Sequence, residues 1–315
     1  MPRSAGGGSA GTASTASSAS PPPAAPPAPT SAAALRAELD RRKIPTRLPR
    51  DVLAFLLRYP SQASSSSFST STGAGVQGEA PSANLRFYQD RQAALPRRAK
   101  CSELQDELRG NWDELEYRHN FVQWFFPIRE QGVNGHAQPL ELHEIEAIKS
   151  DPDAMARLIE SYRIMLDFYG LRLVDPETGE LDLEDPVGPD ANSSATAGSS
   201  SSPASRFRHL ERHPHNFLRI TRILKCLGEF GLDQYPPSFL LFLLLLQPQP
   251  SSGSRGPAPL LSDPSLLRSY DTYWRWCVRN DADREMVVRT SERVRNGKGE
   301  WTWEQYREWV RGRRS

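Results

Sequence analysis

The stretch Asn111–Leu140, NWDELEYRHNFVQWFFPIREQGVNGHAQPL, gathers aromatics, turn residues and polar groups at unusual positions. Its first half predicts a helix. Asn111 can cap it and Glu114 follows three residues on, the pairing that satisfies free backbone N–H groups at a helix start. Leu115, Val122 and Phe126 then share one stripe at helical spacing, with Phe121 and Phe125 beside it and Tyr117 and Trp124 on its far flank. So wide an apolar arc predicts a helix running through the middle of a bundle. Pro127 ends or kinks it, and a loop of about a dozen residues leads to Pro139.

Outward from there, the 315 residues carry 24% charged and 37% hydrophobic side chains, 27 prolines and a net charge of +1. Near-neutrality gives no global pull toward nucleic acid or membrane. Cys101, Cys226 and Cys277 show no paired spacing, which points to a reducing compartment. No apolar run at the start suggests a signal peptide. Phe239–Leu246, FLLFLLLL, is far shorter than the roughly 20 residues a spanning helix needs, so a buried helix is expected there and no transmembrane segment. A peripheral membrane contact stays open.

Residues 1–30, nearly all Ala, Gly, Ser, Thr and Pro, cannot bury enough surface to offset chain entropy and are expected to be a disordered tail. A short helical pair spans 31–60, with Val52, Leu53, Leu56 and Leu57 on one face, and a Ser/Thr/Gly linker covers 61–83. The main domain runs over 84–312, with low-complexity insertions at about 175–205 and 248–262. Within it Asp151-Pro152 opens a helix that Gly170 closes. Phe217, Ile220, Ile223, Leu224, Leu227 and Phe230 stripe another. Asp263-Pro264 opens a third, and Thr302 with Gln305 caps the last. Two-residue alternation is nowhere convincing, so no strands are expected. The expected class is all-α, a single irregular helical bundle.

NLRFY (84–88), ELEYRHNFVQWFFPIREQGVNGHAQPL (114–140), SYRIMLDFYGLRL (161–173) and HNFLRITRILKCLGEFGL (215–232) together resemble the conserved region of the opioid growth factor receptor family. The blocks come in the family's order and spacing. One departure is Asn134-Gly135-His136, where a bulky residue is expected before the histidine. The resemblance implies a mostly helical protein in or around the nucleus or in the cytoplasm. It also implies a non-enzymatic role in growth regulation, because the family's vertebrate member binds the pentapeptide Met-enkephalin and restrains proliferation. The partner expected is therefore a short peptide or another protein.

Candidate binding residues follow from the stretch and from the helix near 215–230: His119, Trp124, Arg129, Glu130, Asn134, His136, His215, Asn216, Arg219 and Arg222. His119, between Leu115 and Val122, is either a core histidine bonded to backbone or a pocket histidine orienting a ligand. Arg129 and Glu130 either bind or brace the loop. Arg219, Arg222 and Lys225 lie opposite the core stripe, as a solvated face or as a basic strip for carboxylate or phosphate. Trp124 beside such an arginine would suit a peptide with a free carboxylate. His209, His213 and His215 cluster in RHLERHPH, but Pro214 breaks the helix that would align them, so neither metal nor cofactor is expected. No phosphate loop, nucleophile elbow or paired-carboxylate signature suggests an enzyme. The weaker alternative is a nucleic-acid-associated helical scaffold using the basic face of 215–230 and the last helix, where Trp301, Trp303, Tyr306 and Trp309 mingle with Arg307, Arg311, Arg313 and Arg314.

Overall fold

The computed structural model describes residues 31–58, 82–184, 203–250 and 259–314. The tail expected over 1–30, nearly all of the 61–83 linker and the low-complexity centres of both insertions lie outside those residues. Among the described residues there are fourteen α-helices and two short strands. The all-α expectation holds, with one hairpin added.

In chain order, α1 (Ala32–Arg41) and α2 (Arg50–Leu56) form the N-terminal pair, and α3 (Ala83–Tyr88) and α4 (Cys101–Leu108) follow. Then come α5 (Trp112–Tyr117), α6 (Val122–Phe125), α7 (Leu142–Lys149) and α8 (Pro152–Phe168). Asp151 caps α8 by accepting from the N–H groups of Asp153 and Ala154, both at 3.1 Å. Pro152 sits where its missing N–H costs nothing, and Gly170 follows the end with φ +82°.

Strands β1 (Leu171–Asp175) and β2 (Glu180–Leu183) pair antiparallel, Leu171 opposite Leu183 and Leu173 opposite Leu181. This hairpin corrects the expectation of no strands and of a loop from 175. Leu171 and Asp175 are buried while Arg172 and Val174 are exposed, so the alternation is present but lasts only five residues. Gly179 makes the turn possible: its φ is +78°, and a Cβ there would meet the Gln234 carbonyl oxygen at 2.8 Å.

Helix α9 (Pro203–Arg212) has no counterpart in the sequence reading. It leads into α10 (His215–Glu229) and α11 (Tyr235–Leu245), then α12 (Pro264–Thr272), α13 (Asp281–Arg295) and α14 (Trp303–Arg311). Thr302 and Gln305 cap α14 reciprocally as expected. The core stripe expected on α10 is buried in full. All of α11 but Leu245 is buried too, because it packs against α10, α13, α14 and β2. No helix among the described residues is long and apolar enough to cross a membrane.

The helix predicted to run from Asn111 to Phe126 is the main correction. Asn111 does cap it, but the helix stops at Tyr117, and one further turn, α6, follows after four residues. Continuing it would require the Leu115 and Glu116 carbonyls to accept from N–H groups four residues on. They accept instead from the Arg219 guanidinium, at 2.7 and 3.1 Å, and the Arg118 carbonyl does so at 2.8 Å. Burial follows the same break: Phe121 to Ile128 are buried, whereas Tyr117 is 78% exposed. The centre of the bundle is α10 and α11 rather than the 111–126 segment.

Candidate functional site

The break between α5 and α6 carries polar groups into two settings. One is a cleft of about 410 Å³, bounded by Leu95, Pro96 and Arg97, by Leu104 of α4, and by Arg118, Asn120, Phe121 and Trp124. Trp124 is 1% exposed, and its indole N–H donates to the Leu95 carbonyl at 3.1 Å, which fixes the floor against the wall. Arg118 pairs with Glu107 at 2.7 Å and with Glu114, while Arg97 pairs with Glu107 as well. One Arg118 nitrogen, Nη1, is buried and makes no hydrogen bond. Burial without a partner costs a guanidinium N–H on the order of 1–3 kcal/mol, and this nitrogen is closed off from the cleft, so an acceptor reaches it only when a neighbouring side chain moves. The cleft thus sets two arginines, already paired with Glu107 and Glu114, beside the aromatic rings of Phe121 and Trp124, and a ligand carboxylate there would compete with those glutamates.

Outside the cleft lining stands Glu116, 6% exposed at its side chain, from the last turn of α5. His209 of α9 contacts its Oε2 at 2.9 Å, and His213 and His215 contact its Oε1 at 3.0 and 2.9 Å. Asn216 donates to Oε2 at 3.1 Å. The expectation that Pro214 would keep the histidines apart is therefore corrected: the turn between α9 and α10 folds them around a carboxylate from a distant helix. His209 and His213 stack with centroids 4.1 Å apart. Burial pushes the Glu116 carboxyl upward, but hydrogen bonds from His209 and Asn216 and the nearby imidazoles more than offset it, leaving it below its ordinary range. Burial holds the His215 imidazole below its ordinary value, against the pull of Glu116.

Five other sequence candidates, Arg219, Arg222, Arg129, Glu130 and Asn134, make contacts within the fold. Arg219 is 5% exposed and closes α5 as described, with a fourth bond to Asn216 Oδ1 at 3.0 Å. Arg222 donates to the Phe126 carbonyl at 2.7 Å. Lys225 is buried, and its Nζ reaches Asp51 at 2.7 Å and Glu130 at 2.8 Å. Neither a solvated face nor an open basic strip describes these three residues, a second correction. Arg129 donates to the Arg58 carbonyl at 2.9 Å, so with Glu130 it braces the loop. Asn134 bonds the carbonyls of Leu95 and Asn120 and accepts from the His136 backbone N–H. His136 itself is exposed. His119 is exposed in the break, not within an apolar stripe, and its ring lies 5.1 Å from that of His215. Of the ten candidates, only Trp124 lines the cleft. Arg97 and Arg118 were missed, because an arginine's role in a cleft depends on which acceptors the fold leaves beside it.

The aromatics of the last helix face the bundle. Tyr306 is fully buried, accepts from the Leu181 N–H and meets Ser238, both at 2.8 Å. Trp301 donates to the Leu241 carbonyl at 2.9 Å. Arg313 pairs with Asp283 at 2.6 Å, and Arg314 with Asp175 at 2.6 Å.

Compared with known proteins, residues 77–309 match the opioid growth factor receptor (OGFr) conserved region. The chain belongs to the opioid growth factor receptor family. It is similar to the opioid growth factor receptor of Rattus norvegicus, 40% identical over 161 residues, which is 51% of this chain and 25% of that protein. The Homo sapiens opioid growth factor receptor is 40% identical over 167 residues, 53% of this chain and 22% of that protein. Opioid growth factor receptor-like protein 1 of Mus musculus is 32% identical over 212 residues, 67% of this chain and 39% of that protein. The match thus spans well under half the length of each relative. No solved structure matches. Both sides of the α5–α6 break lie within the matched region of this opioid growth factor receptor family member.

Proposed function

We propose that this family member acts by binding rather than catalysis, in or around the nucleus. It takes a short peptide of the Met-enkephalin type, or the terminus of a partner protein, in the cleft over Trp124, and thereby takes part in growth regulation. The observation that carries this reading is the cleft itself, which brings Arg97 and Arg118 together beside Phe121 and Trp124. The relatives' name, a receptor for an opioid growth factor, supports a peptide as the ligand class. An aromatic side chain would lie against Phe121 and Trp124, and a terminal carboxylate would meet Arg118 and Arg97.

Calorimetry of the full chain tests this with Met-enkephalin as free acid and as C-terminal amide. The free acid should bind at least tenfold tighter than the amide, and Arg97→Glu should abolish most of that difference, since a charge-assisted pair contributes about 1.5–3 kcal/mol. Equal binding of the two forms would remove the carboxylate anchor, and absence of any heat at millimolar peptide would remove the peptide.

A further inference from the structure

The carboxylate of Glu116 is met by three imidazoles and an amide. Oε2 already accepts from His209 Nε2 at 2.9 Å and from Asn216 Nδ2 at 3.1 Å. Oε1 faces His213 Nδ1 at 3.0 Å and His215 Nε2 at 2.9 Å. His215 Nε2 is buried and forms no hydrogen bond despite that proximity, so its angle is wrong for donation to the oxygen. One ligand atom each from Glu116, His213 and His215 lies within 4.8 Å of the others. In a tetrahedral zinc site with bonds of about 2.0–2.1 Å, neighbouring ligand atoms are roughly 3.3 Å apart. The two contacts to Oε1 already fall near that spacing.

We propose that Glu116 Oε1, His213 Nδ1 and His215 Nε2 bind one zinc ion, or a similar borderline divalent transition metal, with solvent in the fourth position. Two imidazoles and one carboxylate form a ligand set for zinc rather than for magnesium or calcium, which take oxygen. His209 and Asn216 hold the other carboxylate oxygen, as outer residues do around metal-ligating groups. His209 and Asn216 are positioning residues. The three imidazoles are 34–40% exposed, giving an ion a route in, whereas Glu116 is buried. An ion there ties the end of α5 to the α9–α10 turn through residues that do not line the peptide cleft, and does not depend on that cleft's function.

The test uses the full chain, stripped with a chelator and titrated with Zn²⁺ against a chromophoric competitor. One zinc should bind per chain with submicromolar affinity, and millimolar Mg²⁺ should not displace it. The double variant His213→Gln, His215→Gln should weaken binding at least 100-fold while keeping the far-ultraviolet circular dichroism of the parent. His209→Ala should weaken it about tenfold or more, as loss of an outer partner does. Should the double variant fail to fold, Co²⁺ substitution of the parent decides. Visible d–d bands of tetrahedral intensity without a thiolate charge-transfer band support the site; a six-coordinate spectrum or a thiolate band overturns it. Absence of saturable Zn²⁺ binding at micromolar concentration, or binding that both variants leave unchanged, likewise overturns it and leaves a hydrogen-bonded cluster only.

Discussion

The basic face of α10 and the Glu116 cluster are built from neighbouring residues of one helix and its approach, yet they end in opposite states. Arg219, Arg222 and Lys225 meet carbonyls and carboxylates at 2.7–3.1 Å and are closed into the fold. Around Glu116 three ring nitrogens meet one carboxylate, and His215 Nε2 forms no hydrogen bond. Arg118 Nη1 forms none either. A buried polar group whose capacity is met holds structure, whereas unmet capacity alone does not mark a ligand site, since Tyr162, Tyr169 and Arg206 inside the fold have it too. Charge alone does not separate the two, since the arginine-rich strip is the less available of them.

Arg219→Met is the strongest way to break this contrast. It would leave the Leu115, Glu116 and Arg118 carbonyls without their donor, so thermal unfolding should show a loss of about 3–5 kcal/mol. A loss under about 1 kcal/mol would mean that Arg219 does not close α5. Lys225→Met should cost less, about 1–3 kcal/mol, because Asp51 and Glu130 keep side-chain exposures of 44% and 28% and can turn to water. Glu116→Gln keeps the shape and an acceptor, and should cost only about 1 kcal/mol while abolishing tight zinc uptake. If it destabilised the chain as much as Arg219→Met, the cluster would belong with the structural class.

Local rules made several elements legible from sequence. Asp151-Pro152, Asp263-Pro264 and Thr302 with Gln305 each satisfy backbone N–H groups within four residues, so their helices start where expected. The stripe on α10 was legible because all six of its apolar residues serve one core. The 111–126 segment was misread because what ends α5 is a side chain about a hundred positions away, and no periodicity records that. The β1–β2 hairpin went unseen for a related reason: strands of five and four residues show too little alternation to stand against flanking polar sequence. The Glu116 cluster joins residues some hundred positions apart, and only the histidine spacing hinted at it.

The faintest test concerns the N-terminal helical pair, a saturated region at the surface. Arg42 bonds Asp281 at 3.0 and 3.1 Å, Lys43 pairs with Glu285 at 2.8 Å, and Arg284 donates to the Arg42 carbonyl at 3.1 Å. Burial raises the Asp281 carboxyl, but hydrogen bonds and charge from Arg42 and Arg284 outweigh it and hold it below its ordinary 3.8. A depressed folded-state value means the carboxylate stabilises the fold fully above the ordinary value, and that stabilisation fades as pH falls below 3.8. Asp281 is 44% exposed at its side chain, so the effect is screened and should not exceed about 1 kcal/mol. Asp281→Asn should therefore lower the melting temperature by a few degrees at pH 7, and the gap to the parent should narrow toward zero as pH drops below about 4. A gap that stays constant down to pH 2 would show that the substitution acts through packing and not through the ion pair. That result would move the contact between α1 and α13 out of the saturated class, leaving Leu39, Ile44 and Phe55 to hold the helical pair in place.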